Sequence, residues 1–124
     1  MKKGAPTNYF VITNLYGGPG SKINNKDTKF AAYSERDSIF VSQLYGFGPD
    51  GNVALPWING LHKAITSAAP KTKFGAYLNY VDPSLDAKTA HELYYGEELY
   101  KRILKVKNDV DPDKVFWNPQ AIGN

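Results

Sequence analysis

The sequence predicts an α+β fold: an antiparallel sheet of about four strands with helices packed on one face. Three observations predict it. Runs of β-branched and aromatic residues dominate the first half, at 9–13, 30–33 and 38–45, and return at 73–81. Helical periodicity sets in only after the third of these runs. Just one clear helix falls between successive strands, whereas a parallel sheet needs a crossover between most of them.

Each element has its own reason. Residues 9–13 (Tyr-Phe-Val-Ile-Thr) read as a strand, which Tyr16-Gly-Gly-Pro-Gly20-Ser21 ends with turn chemistry. Residues 22–29 are polar and read as a surface loop. Strands follow at 30–33 and 38–45, separated by the charged Glu35-Arg36-Asp37. Residues 47–52 (Phe-Gly-Pro-Asp-Gly-Asn) read as a turn. A helix comes next, with Pro56 suited to its first turn because the missing N–H has no intrahelical partner there. Ile58, Leu61 and Ile65 share one face of it, and Pro70 stops it. A fourth strand covers 73–81. Ser84 or Asp86 then offers an N-cap for a short helix over 87–95, interrupted at Gly96. A better helix spans 97–107, acidic at its start and basic at its end, as the helix dipole favours. Pro112 cannot continue it, and the remaining tail reads as extended or irregular.

A length of 124 residues fits one domain, 1–124, with one modest core. Net charge is +3, but Lys and Arg are dispersed, so no concentrated basic face predicts nucleic-acid binding. No apolar run is long enough to span a bilayer. Residues 1–6 lack the apolar core of a signal peptide. With no cysteine there is no disulfide or thiolate chemistry. His62 and His91 stand 29 positions apart outside any metal-ligand spacing, so no metal site is expected and both read as solvated surface histidines. Gly17-Gly18-Pro19-Gly20 lacks the Gly-Lys-Ser/Thr ending of a phosphate loop and reads as a tight turn.

Two constellations remain. In Tyr77-Leu78-Asn79-Tyr80, a regular strand would place Tyr77 and Asn79 on one side, Leu78 and Tyr80 on the other. A phenol beside a cation or a second phenol can act as general base; a tyrosine-rich strand with no chemistry explains the same residues. In Ser42-Gln43-Leu44-Tyr45, Gln43 interrupts an apolar strand, where an unpaired amide is costly. It either faces solvent at an edge or meets a polar partner such as a sugar hydroxyl.

Read in order, Tyr77-Leu-Asn79-Tyr80-Val-Asp82, Tyr94-Tyr95-Gly96, Lys105-Val-Lys107, Asp111-Pro112 and Val115-Phe-Trp117-Asn118-Pro119-Gln120-Ala-Ile122 resemble the carboxy-terminal segment of the berberine-bridge-enzyme-like FAD-linked oxidases, which include the fungal oligosaccharide oxidases. Thr13-Asn-Leu-Tyr16-Gly17-Gly18 is similar to that family's Tyr-Gly-Gly turn, and Tyr33-Ser-Glu-Arg36-Asp37 to its His-Arg segment, with Glu35 where the family's His is expected. The resemblance implies an FAD-dependent oxidoreductase that oxidises an alcohol, carbohydrate included, by hydride transfer to flavin. It implies that 8–76 contribute to a substrate-binding antiparallel sheet and that 77–124 form the berberine-like tail. Tyr80 is the first choice for catalytic base and Tyr77 the second. Asn79 and Tyr77 would approach the cofactor, and Gln43 and Tyr45 would bind the small-molecule substrate. FAD would be held mainly by a flavin-binding domain that has no counterpart in this chain and is its expected partner, so autonomous activity is doubtful. Family members are often secreted, but the chain carries no address of its own. The alternative is a non-catalytic module that binds a sugar or another small molecule on its tyrosine-rich faces.

Overall fold

The computed structural model describes residues 4–124. The fold is α+β, with two strands, β1 (Asn8–Leu15) and β2 (Phe40–Phe47), and two helices, α1 (Gly51–Ala68) and α2 (Ala87–Val110). They fall into two compact units interleaved along the chain. One combines residues up to Tyr16 with Ile39–Phe74, the other Gly17–Ser38 with Gly75–Asn124.

In the first unit β1 and β2 pair antiparallel, from Asn8 opposite Phe47 to Leu15 opposite Phe40. Tyr16 N–H prolongs the ladder to the Ile39 carbonyl at 2.8 Å. Both strands overrun the predicted runs by two residues at their carboxy-terminal ends. Side chains alternate across the ribbon. Gly46 lies under Ile58 of α1, and the Tyr9 ring meets the Trp57 ring edge-on at 5.6 Å. That face is therefore the one α1 covers. The opposite face carries Phe10, Ile12, Gln43, Tyr45 and Phe47.

Helix α1 starts earlier than predicted. Asp50 caps it by accepting from Asn52 N–H at 2.8 Å, so 51–55 are helical and Pro56 sits inside the helix rather than in its first turn. The strong Asx cap outweighs the proline signal. Ala69 ends it, as Pro70 requires of the residue before it. Of the predicted apolar face, Ile58 and Leu61 are half-buried and Ile65 is exposed.

Two predicted strands are absent from the described residues. At 30–33 the chain turns instead, because the Asp27 carboxylate accepts from the N–H groups of Lys29 (2.9 Å) and Phe30 (3.1 Å). This Asx turn competes with the extended form that Phe30 and Tyr33 favour. At 73–81 Ala76 N–H bonds to the Leu93 carbonyl at 3.0 Å rather than to a neighbouring strand, and Tyr80 N–H closes a turn onto the Tyr77 carbonyl. The sheet thus has two strands where about four were expected.

In the second unit Asp86 caps α2, accepting from Thr89 N–H at 2.9 Å and Thr89 Oγ1 at 2.8 Å. Gly96, at φ 68° and ψ 169°, breaks the helix in two, a conformation open to glycine alone at little cost. Ala90, His91, Tyr94 and Leu99 are its buried residues. His91 is therefore not a solvated surface histidine: its ring stacks on Tyr100 at 4.4 Å and its Nε2 bonds to the Gln120 carbonyl at 2.9 Å. Asp111 ends α2 and organises the tail, accepting from Val115 N–H (2.8 Å), Phe116 N–H (3.2 Å) and Lys107 Nζ. The Lys107 hydrogen bond, helped by the two backbone donors, holds the Asp111 carboxyl below the usual carboxylate range against the opposing effect of burial.

Candidate functional site

The turn at 77–80 does what a strand would not. It gathers Tyr77, Asn79 and Tyr80 into one cluster. Asn79 Nδ2 donates to Tyr77 Oη at 2.7 Å, and the Tyr77 and Tyr80 rings meet edge-on at 5.4 Å. Tyr33 adds a third ring, edge-on to Tyr77 at 6.4 Å, and the Arg36 guanidinium lies over the Tyr33 ring at 5.0 Å. Tyr80 is 59% exposed and Tyr77 is half-buried. The outcome is an accessible phenol backed by a second phenol that is already fixed by a carboxamide. Sequence reasoning did not include Tyr33 or Arg36 in the site; only their place beside the family-like Arg36-Asp37 pair pointed there.

What shapes this cluster is local. Gly75 leaves room for the Glu35 carboxylate, which a side chain at 75 would displace. Glu35 in turn accepts from Ser38 Oγ (2.6 Å) and shares the single Ser34 hydroxyl proton (3.2 Å) with the Tyr94 carbonyl, which takes the shorter bond at 2.6 Å. Glu35, at the position where a His was expected, is thus a hydrogen-bond hub for the 33–38 loop. Tyr95 stands apart: burial, with smaller effects of Tyr94 and Tyr100, pushes its phenol up. That keeps it in the protonated phenol form.

The first unit holds the other pair. Tyr45 Oη donates to Gln43 Oε1 at 2.7 Å on the ribbon face opposite α1. Gln43 therefore has a polar partner, which answers the cost of an amide in an apolar strand. The Phe10 ring stacks on Tyr45 at 4.6 Å and meets Phe47 at 5.8 Å. An aromatic face bordered by a carboxamide is what a sugar ring and its hydroxyls require. Among the described residues no cluster of three His, Asp or Glu could hold a metal ion, and no helix is long and apolar enough to cross a membrane.

The residues fit part of a flavin. A phenol and a carboxamide side by side suit the polar edge of an isoalloxazine, and tyrosine rings suit its flat face. Among the described residues the phosphates find no such match at the helix starts. Helix amino-termini are the usual anion sites, but here Asp50 and Asp86 cap the helix starts, and Glu97 and Glu98 follow the Gly96 break.

Residues 76–123 match the family described as berberine and berberine like. The chain is 33% identical over 119 residues to the xylooligosaccharide oxidase of Thermothelomyces thermophilus, covering 92% of this chain and 24% of that protein. It is 34% identical over 119 residues to the carbohydrate oxidase of Microdochium nivale, with the same coverage. The crystal structure of the M. nivale carbohydrate oxidase with a substrate analogue superposes with a TM-score of 0.82 at 30% identity, over 98% of this chain and 26% of that one. The chain therefore spans about a quarter of the length of the relatives it matches. Residues 76–123 match the berberine and berberine like family, and nearly the whole length of the chain is similar, in sequence and fold, to a portion of the xylooligosaccharide and carbohydrate oxidases.

Proposed function

We propose that this chain is the substrate-side, carboxy-terminal portion of an FAD-dependent oxidoreductase that oxidises a carbohydrate alcohol by hydride transfer to flavin. One observation carries the reading: more than nine-tenths of the chain aligns with carbohydrate oxidases at 33–34% identity. The exposed Tyr80 phenol, packed against the hydrogen-bonded Tyr77–Asn79 pair, supports it chemically.

In this reading β1 and β2 belong to a larger antiparallel substrate-binding sheet, residues 77–124 form the berberine-like segment, and the chain acts as one domain of the enzyme. Gln43 and Tyr45 bind sugar hydroxyls, with the aromatic rings beside them taking the apolar face of the sugar. Tyr80 Oη removes the proton of the reacting hydroxyl, and Tyr77 is the reserve candidate. Tyr77 and Asn79 border the cofactor, which when bound supplies the hydride acceptor. The phosphates and most of the contacts belong to a flavin-binding domain beyond this chain. The similarity to oxidases along almost the entire length favours this over a non-catalytic sugar-binding module.

A chimera tests it. This chain replaces the matching quarter of the M. nivale carbohydrate oxidase, and oxygen uptake is followed with xylooligosaccharides and other oligosaccharides. Sugar-dependent uptake is expected. A chimera that folds and holds flavin yet oxidises no sugar overturns the proposal.

A further inference from the structure

Tyr77, Asn79 and Tyr80 stand on a turn closed by a single backbone hydrogen bond, Tyr80 N–H to the Tyr77 carbonyl at 2.9 Å. One bond makes a soft platform, yet a catalytic group must be held to within about half an ångström. The stiffness comes from the turn's two ends. On the amino-terminal side, Ala76 N–H is held by the Leu93 carbonyl of α2. On the carboxy-terminal side, Asp82 is held through both of its backbone groups. Its N–H donates to Tyr94 Oη at 2.9 Å, and its carbonyl accepts from Gln120 Nε2 at 2.6 Å.

Gln120 is what closes this clasp. Its Nε2 also donates to the Leu85 carbonyl at 2.9 Å, and its Oε1 accepts the Tyr94 hydroxyl at 3.3 Å. Its own carbonyl receives His91 Nε2. The two carbonyls that face Nε2 fix which way the amide points. Every polar atom of the side chain is matched, and its partner Tyr94 is only 3% exposed. Matched polar groups rigidify what they join; the bonds of Gln120 with Tyr94, Leu85 and His91 are part-buried, and the one to Asp82 is exposed. A carboxamide is suited to the task because it offers two donors and an acceptor at once. Glutamate would set acceptors against two carbonyls, and asparagine is one methylene short.

We propose that Gln120, acting with Tyr94, is the positioning residue of the Tyr77–Tyr80 turn: the tail clamps Asp82 and so fixes the phenols of the site. The inference rests on reading Tyr77 and Tyr80 as site residues, but its test needs neither flavin nor sugar. Amide hydrogen exchange is measured on the whole chain by NMR, for wild type and Gln120→Ala. The reporter is the Tyr80 amide, whose hydrogen bond is the turn itself; the ladder amides of β1 and β2 are the reference. The variant is expected to lose roughly tenfold or more of the Tyr80 protection while the ladder is unchanged, since losing a matched hydrogen-bond set opens the structure locally. Unchanged exchange at Tyr80 overturns the proposal. If Gln120→Ala unfolds the chain, so that ladder protection is lost too, Tyr94→Phe decides. It keeps the ring and removes only the hydroxyl, and selective loss at Tyr80 supports the clasp while unchanged exchange overturns it. A failure here leaves the oxidase reading standing, and an inactive chimera leaves the clasp standing.

Discussion

Tyr80 combines the two properties a base for a hydroxyl needs: its phenol is reachable, and its ring is braced by Tyr77 at 5.4 Å. Tyr77 gives up reach for order, because its oxygen already accepts from Asn79. A second residue-scale expectation concerns Asp111. Lys107 and two backbone donors lower its folded pKa below the ordinary 3.8. A depressed acid stabilises the fold above its unfolded pKa, and that contribution fades as pH falls through the folded value. The gap in urea midpoint between wild type and Asp111→Asn should therefore be constant from neutral pH to about 4 and narrow below it. A gap that is as wide at pH 2 as at pH 7 would show that the ionised carboxylate is not what holds the tail. Single residues were unevenly legible in the sequence. Tyr77, Asn79 and Tyr80 could be named because they are close in the chain. Gln120 and His91 could not be assigned roles, because the groups they hydrogen-bond lie 26 or more positions away.

At the scale of elements, tight packing at β2 makes a sharp prediction. A Cβ added at Gly46 would lie 2.5 Å from Ile58 Cγ1 and 3.4 Å from the Ala54 carbonyl oxygen. The ribbon and α1 must separate to admit it, so Gly46→Ala should destabilise the first unit by about 1–3 kcal/mol, as overpacking does. Chemical denaturation followed by Trp57 fluorescence, with Trp117→Phe in both proteins compared, measures this; a midpoint unchanged by Gly46→Ala would mean that α1 does not press on β2. The elements that sequence pattern revealed are those governed by local rules: β1 and β2 by β-branched and aromatic runs, a cap at Ser84 or Asp86 that fell to Asp86, the Gly96 break and the stop before Pro70. The misses have equally physical causes. At 30–33 the Asp27 side chain captures the backbone, and at 73–81 the N–H of Ala76 is taken by the carbonyl of Leu93. Both are strand-like in composition, and in both a hydrogen bond that composition does not encode decides the outcome.

At the scale of the molecule, the buried apolar residues are few: Ala54, Ala90, Tyr94 and Leu99 among those described. Large side chains such as Leu15 (78%), Phe116 (79%) and Trp117 (60%) remain open to solvent. On the proposed reading these side chains are where the chain would meet the rest of the oxidase, about a quarter of whose length it matches. Acidic groups at the described helix starts oppose FAD phosphates, so the purified chain, incubated with FAD and desalted, should show no visible flavin absorbance. A retained flavin band would show that the chain builds a cofactor site by itself.

The most direct measurement compares steady-state turnover of the oxidase chimera carrying Tyr80→Phe and Tyr77→Phe with the unmodified chimera. With Tyr80 as the base, Tyr80→Phe lowers kcat by roughly 100- to 10,000-fold, the usual worth of a positioned general base, while flavin content is kept and Tyr77→Phe costs less. Full turnover in Tyr80→Phe, or a larger loss in Tyr77→Phe, would contradict the assignment.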